Sequence, residues 1–351
     1  MEIVKKRRIK RGFSERAASI MAATRRASTT GTYDARLKRY YGWCRERNVN
    51  PSTASVTDIA DFLGELFDKY KMSPSTISGY RAAISVIHKG WNGVPVGQNR
   101  DLRDLIVGMS QLRPVKKSLV PNWSLPLVLN GLIKEPFEPM KSADIKFVTL
   151  KTAFLLAVAS GRRVSEIHAL STDPRHLRWE RSGVRMVTNP QFMAKNESLK
   201  NPGKHIFLAR FDKFTSIHEE KLMCPCRALK VYLDRTAPLR ESESPLFLTY
   251  KKGAVKRASK ETIARWIVET VKLVYGKANQ EDLNLAKAHD TRSLAASWAL
   301  FQGVPLQEIM HAAFWSAETT FTSFYLRDVF SDEATFSLSL LNAAKTSCKS
   351  V

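Results

Sequence analysis

Residues 148–159, VTLKTAFLLAVA, are apolar on nearly every side of a helix and run into Ser160-Gly161, a natural helix stop. A helix of that kind cannot lie on a surface. It is also too short to cross a bilayer, which needs about 18–20 apolar residues, and no run in the chain reaches that length. Other elements must therefore be built around it as a core. The material for them follows: His176 to Trp179, Val184 to Val187 and His205 to Leu208 are short β-prone runs. The first two are joined by Glu180-Arg181-Ser182-Gly183, a hairpin turn signal, so a small antiparallel sheet is expected. Helical periodicity returns after about residue 219.

A second, separate helical block precedes this core. Leu37, Tyr40, Tyr41 and Cys44 mark one face of a helix, and Ile59, Phe62, Leu63, Leu66 and Phe67 mark the next. Ser73-Pro74 reads as an N-cap and first helical residue, followed by Ile77, Tyr80, Ile84 and Ile87 up to Gly90. Leu102, Leu105, Ile106, Met109 and Leu112 supply a fourth helix. Short connections make a compact bundle of residues 30–113, and the Pro- and Lys-bearing stretch 114–121 reads as a linker. The expected organisation is a basic flexible arm (1–29), the helical bundle, the linker, and a larger domain (122–351) ending in a helix near 332–346. The fold class is mainly α with a small antiparallel sheet.

Charge narrows the partners. The formal net charge is +23, an imbalance that points to a polyanion, nucleic acid first. Lys5, Lys6, Arg7, Arg8, Lys10 and Arg11 crowd the first residues, as a DNA-backbone contact, a nuclear localisation signal or a solubilising tail. Lys116 and Lys117 in the linker are further candidates for the DNA backbone. Cys44, Cys224, Cys226 and Cys348 are too few for a disulfide scaffold, and no signal-peptide-like stretch opens the sequence, so a reducing compartment is expected.

The chemistry sits in three blocks. Ser160-Gly161-Arg162-Arg163-Val164-Ser165-Glu166 lies at a helix junction, His289-Asp290-Thr291-Arg292 opens a later helix, and Trp315-Ser316-Ala317-Glu318-Thr319-Thr320 leads to Tyr325. In this order they resemble the T-G-x-R-x-S-E, H-x-x-R and H/W-then-Tyr boxes of the tyrosine recombinase (integrase) family. Cys224-Pro225-Cys226-Arg227-Ala228-Leu229 and Ala312-Ala313-Phe314-Trp315-Ser316 look most like the recombinases of DIRS/Ngaro-type retroelements.

The resemblance implies a helical core-binding domain followed by an α+β catalytic domain, together clamping duplex DNA. It implies strand cleavage and rejoining through a 3′-phosphotyrosine and a Holliday junction, by a homotetramer on two sites, for mobile-element integration. Tyr325 would be the nucleophile; by itself it reads as a core tyrosine, and the ordered boxes reverse that. Arg163 and Arg292 would clamp the phosphoryl oxygens, because a guanidinium stays charged and presents a planar fork of donors. His289 would handle the phenolic proton and Trp315 donate its indole N–H, with His311 a weaker occupant of that place. A lysine would protonate the leaving oxygen. Lys195 in Phe192-Met193-Ala194-Lys195-Asn196 matches best, with Lys200 and Lys204 in the same loop. Glu166 would orient Arg163 or cap structure.

The family usually places its tyrosine nine residues after the H/W position, whereas Trp315 to Tyr325 is ten and position nine is Phe324. No cofactor, metal, membrane or small-molecule substrate is expected; Cys224, Cys226 and His218 lack the fourth ligand that structural zinc needs. The expected location is the nucleus in a eukaryote and otherwise the cytoplasm. The alternatives are a type IB topoisomerase, which shares the chemistry, and a catalytically silent DNA-binding descendant of a recombinase.

Overall fold

The computed structural model describes residues 5–329 apart from 7, 10, 25–26, 115–118, 196, 198–201, 241–244, 250–254 and 277–285. Arg7, Lys10, Lys116, Lys117, Lys200 and the helix expected near 332–346 lie outside the described residues. The chain divides into two compact units, Met1–Lys117 and Ser118–Val351.

The first unit holds α1 (Glu15–Ala22), α2 (Ala27–Glu46), α3 (Val56–Asp68), α4 (Pro74–Ile87) and α5 (Arg100–Leu112). Local chemistry starts each of the last three. Ser55 and Asp58 form a reciprocal capping box before α3, Ser73 caps α4 with Pro74 behind it, and Asn99 caps α5. Phe62 is the hub of the core, with ring centroids 5.1 Å from Tyr40, 5.5 Å from Trp43 and 5.9 Å from Tyr80. Two details differ from the sequence expectation. Within the stretch read as a flexible arm, Ser14 caps a helix, Ala18 is buried, and Lys5 pairs with Glu15 at 2.8 Å. Leu112, counted on the apolar face of α5, is 80% exposed because the helix ends there.

The second unit is built on α7 (Ile145–Ser160), which packs against α10 (Pro225–Thr236), α11 (Lys260–Tyr275) and α12 (Asp290–Phe301). A short α6 (Leu125–Gly131) precedes it and α8 (Val164–His168) follows it. The sheet has order β1 (Leu177–Glu180), β2 (Gly183–Met186), β3 (Ile206–Ala209), all antiparallel. Leu177 pairs with Met186 and Met186 with Ile206, so these buried side chains share the inner face. The remaining helices are α9 (His218–Leu222), α13 (Leu306–Ala312) and α14 (Glu318–Phe324). No helix among the described residues is long and apolar enough to cross a membrane.

The apolar reading of α7 hides one charge. Lys151 is fully buried, and its Nζ donates to the Leu132 carbonyl at 2.7 Å and to Glu138 at 2.5 Å, while Arg227 reaches the same carboxylate at 2.6 Å. A buried ammonium is tolerable only with such partners.

Candidate active site

Helix α7 stops because Gly161 takes a left-handed conformation, φ 58°. The chain then turns through Arg162 and Arg163 into α8. Glu166 sits in the first turn of that helix and is 2% exposed. Its carboxylate accepts from the Arg163 backbone N–H at 3.0 Å and from Arg162 Nη1 at 3.2 Å. It also stands 3.6 Å from Arg163 Nη1 and 4.0 Å from Nη1 of Arg292. One carboxylate thus organises three guanidinium groups.

The two adjacent arginines differ in what they hold. Arg162 is 4% exposed, donates from Nη2 to the carbonyls of His205 (3.1 Å) and Lys204 (3.3 Å), and lies over the Phe314 ring at 5.2 Å. It ties the α7–α8 corner to the start of β3. Arg163 Nη1 has no hydrogen-bond acceptor among the described residues.

Helix α12 supplies the next pair. His289 is its N-cap residue, and Arg292, in the first turn, is 1% exposed. Arg292 Nη1 donates to the Gly161 carbonyl at 2.8 Å, which fastens α12 to the end of α7. Its Nε and Nη2 are buried without an acceptor among the described residues. Burial, then the nearby Arg163 charge, pushes the Arg292 guanidinium down to about 9, so it remains cationic at neutral pH.

After α13, Phe314 adopts φ 52°, a strained conformation for an aromatic residue, and Trp315 follows, 5% exposed. The Arg292 guanidinium lies 4.5 Å from the Trp315 ring, and Trp315 Nε1 is a buried donor without an acceptor among the described residues. Helix α14 then delivers Tyr325, whose ring centroid is 4.7 Å from that of Trp315 and whose Oη is 2.9 Å from His289 Nε2.

His289 keeps access to solvent, yet desolvation by the surrounding protein, then the charges of Arg292, Arg163, Lys195 and Arg327, push its imidazole down to about 4. It is neutral near pH 7, so with the ring hydrogen on Nδ1 its Nε2 can accept the phenolic proton.

The structure therefore brings Arg163, His289, Arg292, Trp315 and Tyr325 together from segments far apart in sequence. Lys195 is exposed in the connection between β2 and β3, near enough for its charge to act on His289. Lys204, in the same connection, lies 6.0 Å from the Phe314 ring. His311 is exposed on α13. Phe324, the residue at the usual spacing, is 59% exposed on α14.

Sequence reasoning missed the Gly161 carbonyl and the Arg162 brace, for which no local signal exists; Glu166, three residues after Arg163, was legible from the box and the spacing of a capping box. Cys224 and Cys226 serve the backbone. Cys224 Sγ accepts from Arg227 N–H at 3.4 Å as the cap of α10, and Cys226 donates to the Leu208 carbonyl at 3.1 Å. Among the described residues no group of three or more His, Cys, Asp or Glu could hold a metal ion.

No family model and no curated protein matches the chain. Solved structures do. XerH site-specific recombinase bound to palindromic difH substrate, in a post-cleavage complex, aligns with TM-score 0.54 and 14% identity over 84% of this chain and 76% of that one. A lambda integrase tetramer bound to a Holliday junction aligns with TM-score 0.49 and 15% identity over 90% and 76%. XerA recombinase aligns with TM-score 0.42 and 15% identity over 92% and 94%. The mainly helical fold with its three-stranded antiparallel sheet matches the two-domain architecture of the tyrosine recombinases.

Proposed function

We propose that this protein cleaves and rejoins DNA strands through a covalent bond between Tyr325 and a DNA phosphate. One observation carries the reading. The Tyr325 hydroxyl is held at 2.9 Å by a neutral histidine beside four buried donor atoms that have no acceptor among the described residues. Buried donors of that kind are rare and costly, and the oxygens of a phosphodiester would satisfy them. The shared fold with a site-specific recombinase caught after cleavage of its substrate supports the same reading.

The steps balance without an external energy source. Tyr325 Oη attacks phosphorus while His289 Nε2 takes the phenolic proton. Arg163, Arg292 and Trp315 donate to the non-bridging oxygens as charge builds on them. The bond to the 5′ oxygen breaks, Lys195 supplies its proton, and a 3′-phosphotyrosine remains. A phenol, with reference pKa about 10, is a better leaving group than an alkyl alcohol, so a DNA 5′-hydroxyl can reverse the step and reseal the strand.

In the finer reading, the protein acts as a homotetramer on two duplex sites through a Holliday junction and integrates a mobile element of the DIRS/Ngaro type. It works in the nucleus of a eukaryote, or in the cytoplasm otherwise. The basic residues Lys5 to Arg11, with Lys116 and Lys117, contact the DNA backbone.

Covalent capture tests this directly. Randomised duplexes incubated with the protein in EDTA, then denatured, should leave DNA attached to wild type and none attached to Tyr325→Phe. Peptide mapping should place a 3′-phosphate on Tyr325. Selected sites that exchange strands support recombination; supercoil relaxation without exchange would indicate a type IB topoisomerase, and absence of any adduct a silent DNA-binding protein.

A further inference from the structure

Helix α14 ends at Phe324, and Tyr325 lies one residue beyond it with φ −120° and ψ −22°, outside helical geometry. The helix therefore does not set the nucleophile's backbone by itself. The chain is fixed instead by what holds residues 325–327. The N–H groups of Tyr325 and Leu326 both donate to the Phe321 carbonyl, at 2.8 and 2.9 Å, which closes the helix. Arg327 then uses its guanidinium on the Leu326 carbonyl at 2.9 Å and the Phe324 carbonyl at 3.3 Å. Beside the Tyr325–His289 contact, the backbone of this segment is tied to another element at Ser297. Its hydroxyl accepts from Arg327 N–H at 2.8 Å and donates to the Tyr325 carbonyl at 3.5 Å.

Ser297 is fully buried and lies on α12, the helix that carries Arg292 and is capped by His289. A single oxygen thus registers the nucleophile's backbone against the helix bearing its proton acceptor and one arginine of the clamp. We propose that Ser297 is a positioning residue for Tyr325, holding its hydroxyl on His289. This rests on the tyrosine nucleophile proposed above. It also accounts for the ten-residue spacing from Trp315: the extra residue carries the tyrosine past the helix end, where Phe324 stays on the exposed surface and the Ser297 tether takes over the placement.

The test uses the full-length protein and two readouts. In the free protein, the ¹⁵N shift of His289 Nε2 reports its hydrogen bond to Tyr325; with a selected duplex, single-turnover adduct formation reports the chemistry. Ser297→Ala should lose the His289 signature and slow adduct formation about 10²-fold, the cost of misplacing a reacting group by about 1 Å. DNA affinity and melting temperature should stay near wild type. Ser297→Thr, which keeps the hydroxyl, should recover both readouts.

If Ser297→Ala fails to fold, Ser297→Cys preserves the packing with a weak acceptor and should be slow. Wild-type rate and His289 shift in the alanine or cysteine variant overturn the proposal. So does a rate loss matched by an equal loss of DNA affinity, or folded Ala and Thr variants that are equally slow. A wild-type protein that forms no adduct refutes the recombinase reading instead, and the ¹⁵N measurement still decides whether Ser297 places Tyr325.

Discussion

Trp315→Phe separates the two things a buried indole can do here. The side chain is 5% exposed and packs 5.1 Å from Phe321, 4.7 Å from Tyr325 and 4.5 Å from the Arg292 guanidinium. Its Nε1 has no acceptor among the described residues, so in the free protein that N–H carries a desolvation cost of about 1–3 kcal/mol. Phenylalanine removes the cost but also removes ring atoms from the packed cluster, which loses roughly 1–2 kcal/mol. The two nearly cancel, and the urea midpoint should barely move. The transition state has no such compensation. Losing one donor to a developing oxyanion costs about 10²–10³ in rate. Single-turnover adduct formation should fall by that factor while DNA affinity holds. Trp315→His, which restores a ring N–H, should regain part of the rate. A phenylalanine variant destabilised by more than about 3 kcal/mol yet cleaving at wild-type rate would make Trp315 a packing residue only.

Four other outcomes follow from the same geometry. Tyr325→Phe should keep the fold and form no adduct, and adding Phe324→Tyr to it should not restore one, because position 324 is 59% exposed; DNA mapped to residue 324 would refute the assignment. Arg163→Ala should slow cleavage about 10²-fold with little change in melting, whereas Arg162→Ala should cost about 3–5 kcal/mol by breaking a buried pair with Glu166, read by denaturant titration. Lys195→Ala should be rescued by a substrate with a 5′-bridging sulfur, whose departure needs no acid; rescue of Lys200→Ala or Lys204→Ala instead would move the role. His289 should titrate near 4 in the free protein by NMR. Because the native state then binds fewer protons than the unfolded state, stability should fall as pH drops from about 6.5 toward 4, and a titration near 6.5 would refute the picture.

What could be read from the sequence was local. Helix α7 announced itself by apolarity on nearly all sides and Gly161 by the need for a left-handed stop; α3 came from periodicity, α4 from periodicity plus the Ser73-Pro74 cap, and the sheet from its turn. The catalytic candidates came from ordered boxes, each short enough to be read within one segment. What stayed hidden required distance. The apolar reading of α7 passed over Lys151, because its partner Glu138, shared with Arg227, lies elsewhere in the chain. The box singled out Arg163 but gave no role to Arg162, which is spent on carbonyls near β3 far along the chain. Ser297 is an ordinary helical serine until the chain returns to it at Arg327. Leu112 kept helical spacing but is the last residue of its helix, where no neighbour covers it.

The charge balance at Glu166 bears on the proposed chemistry. Arg162, Arg163 and Arg292 surround one carboxylate, three positive charges less one negative, leaving an excess of two in a mostly buried site. Such an excess is costly in the free protein, and part of that cost shows in the lowered proton affinity of Arg292. A bound phosphodiester brings a single negative charge and relieves half of it. Attack by a tyrosine that has given its proton to His289 puts a second negative charge on the phosphoryl oxygens facing the arginines and leaves the matching positive charge on the histidine ring, so the charge the arginines meet doubles as the phosphorus becomes five-coordinate. The electrostatic gain is therefore greater in the transition state than in the bound ground state, which is the difference that lowers a barrier. Glu166 sets that balance by cancelling one charge of three: with a neutral glutamine in its place the excess would be three, and the free site would be costlier still to hold together.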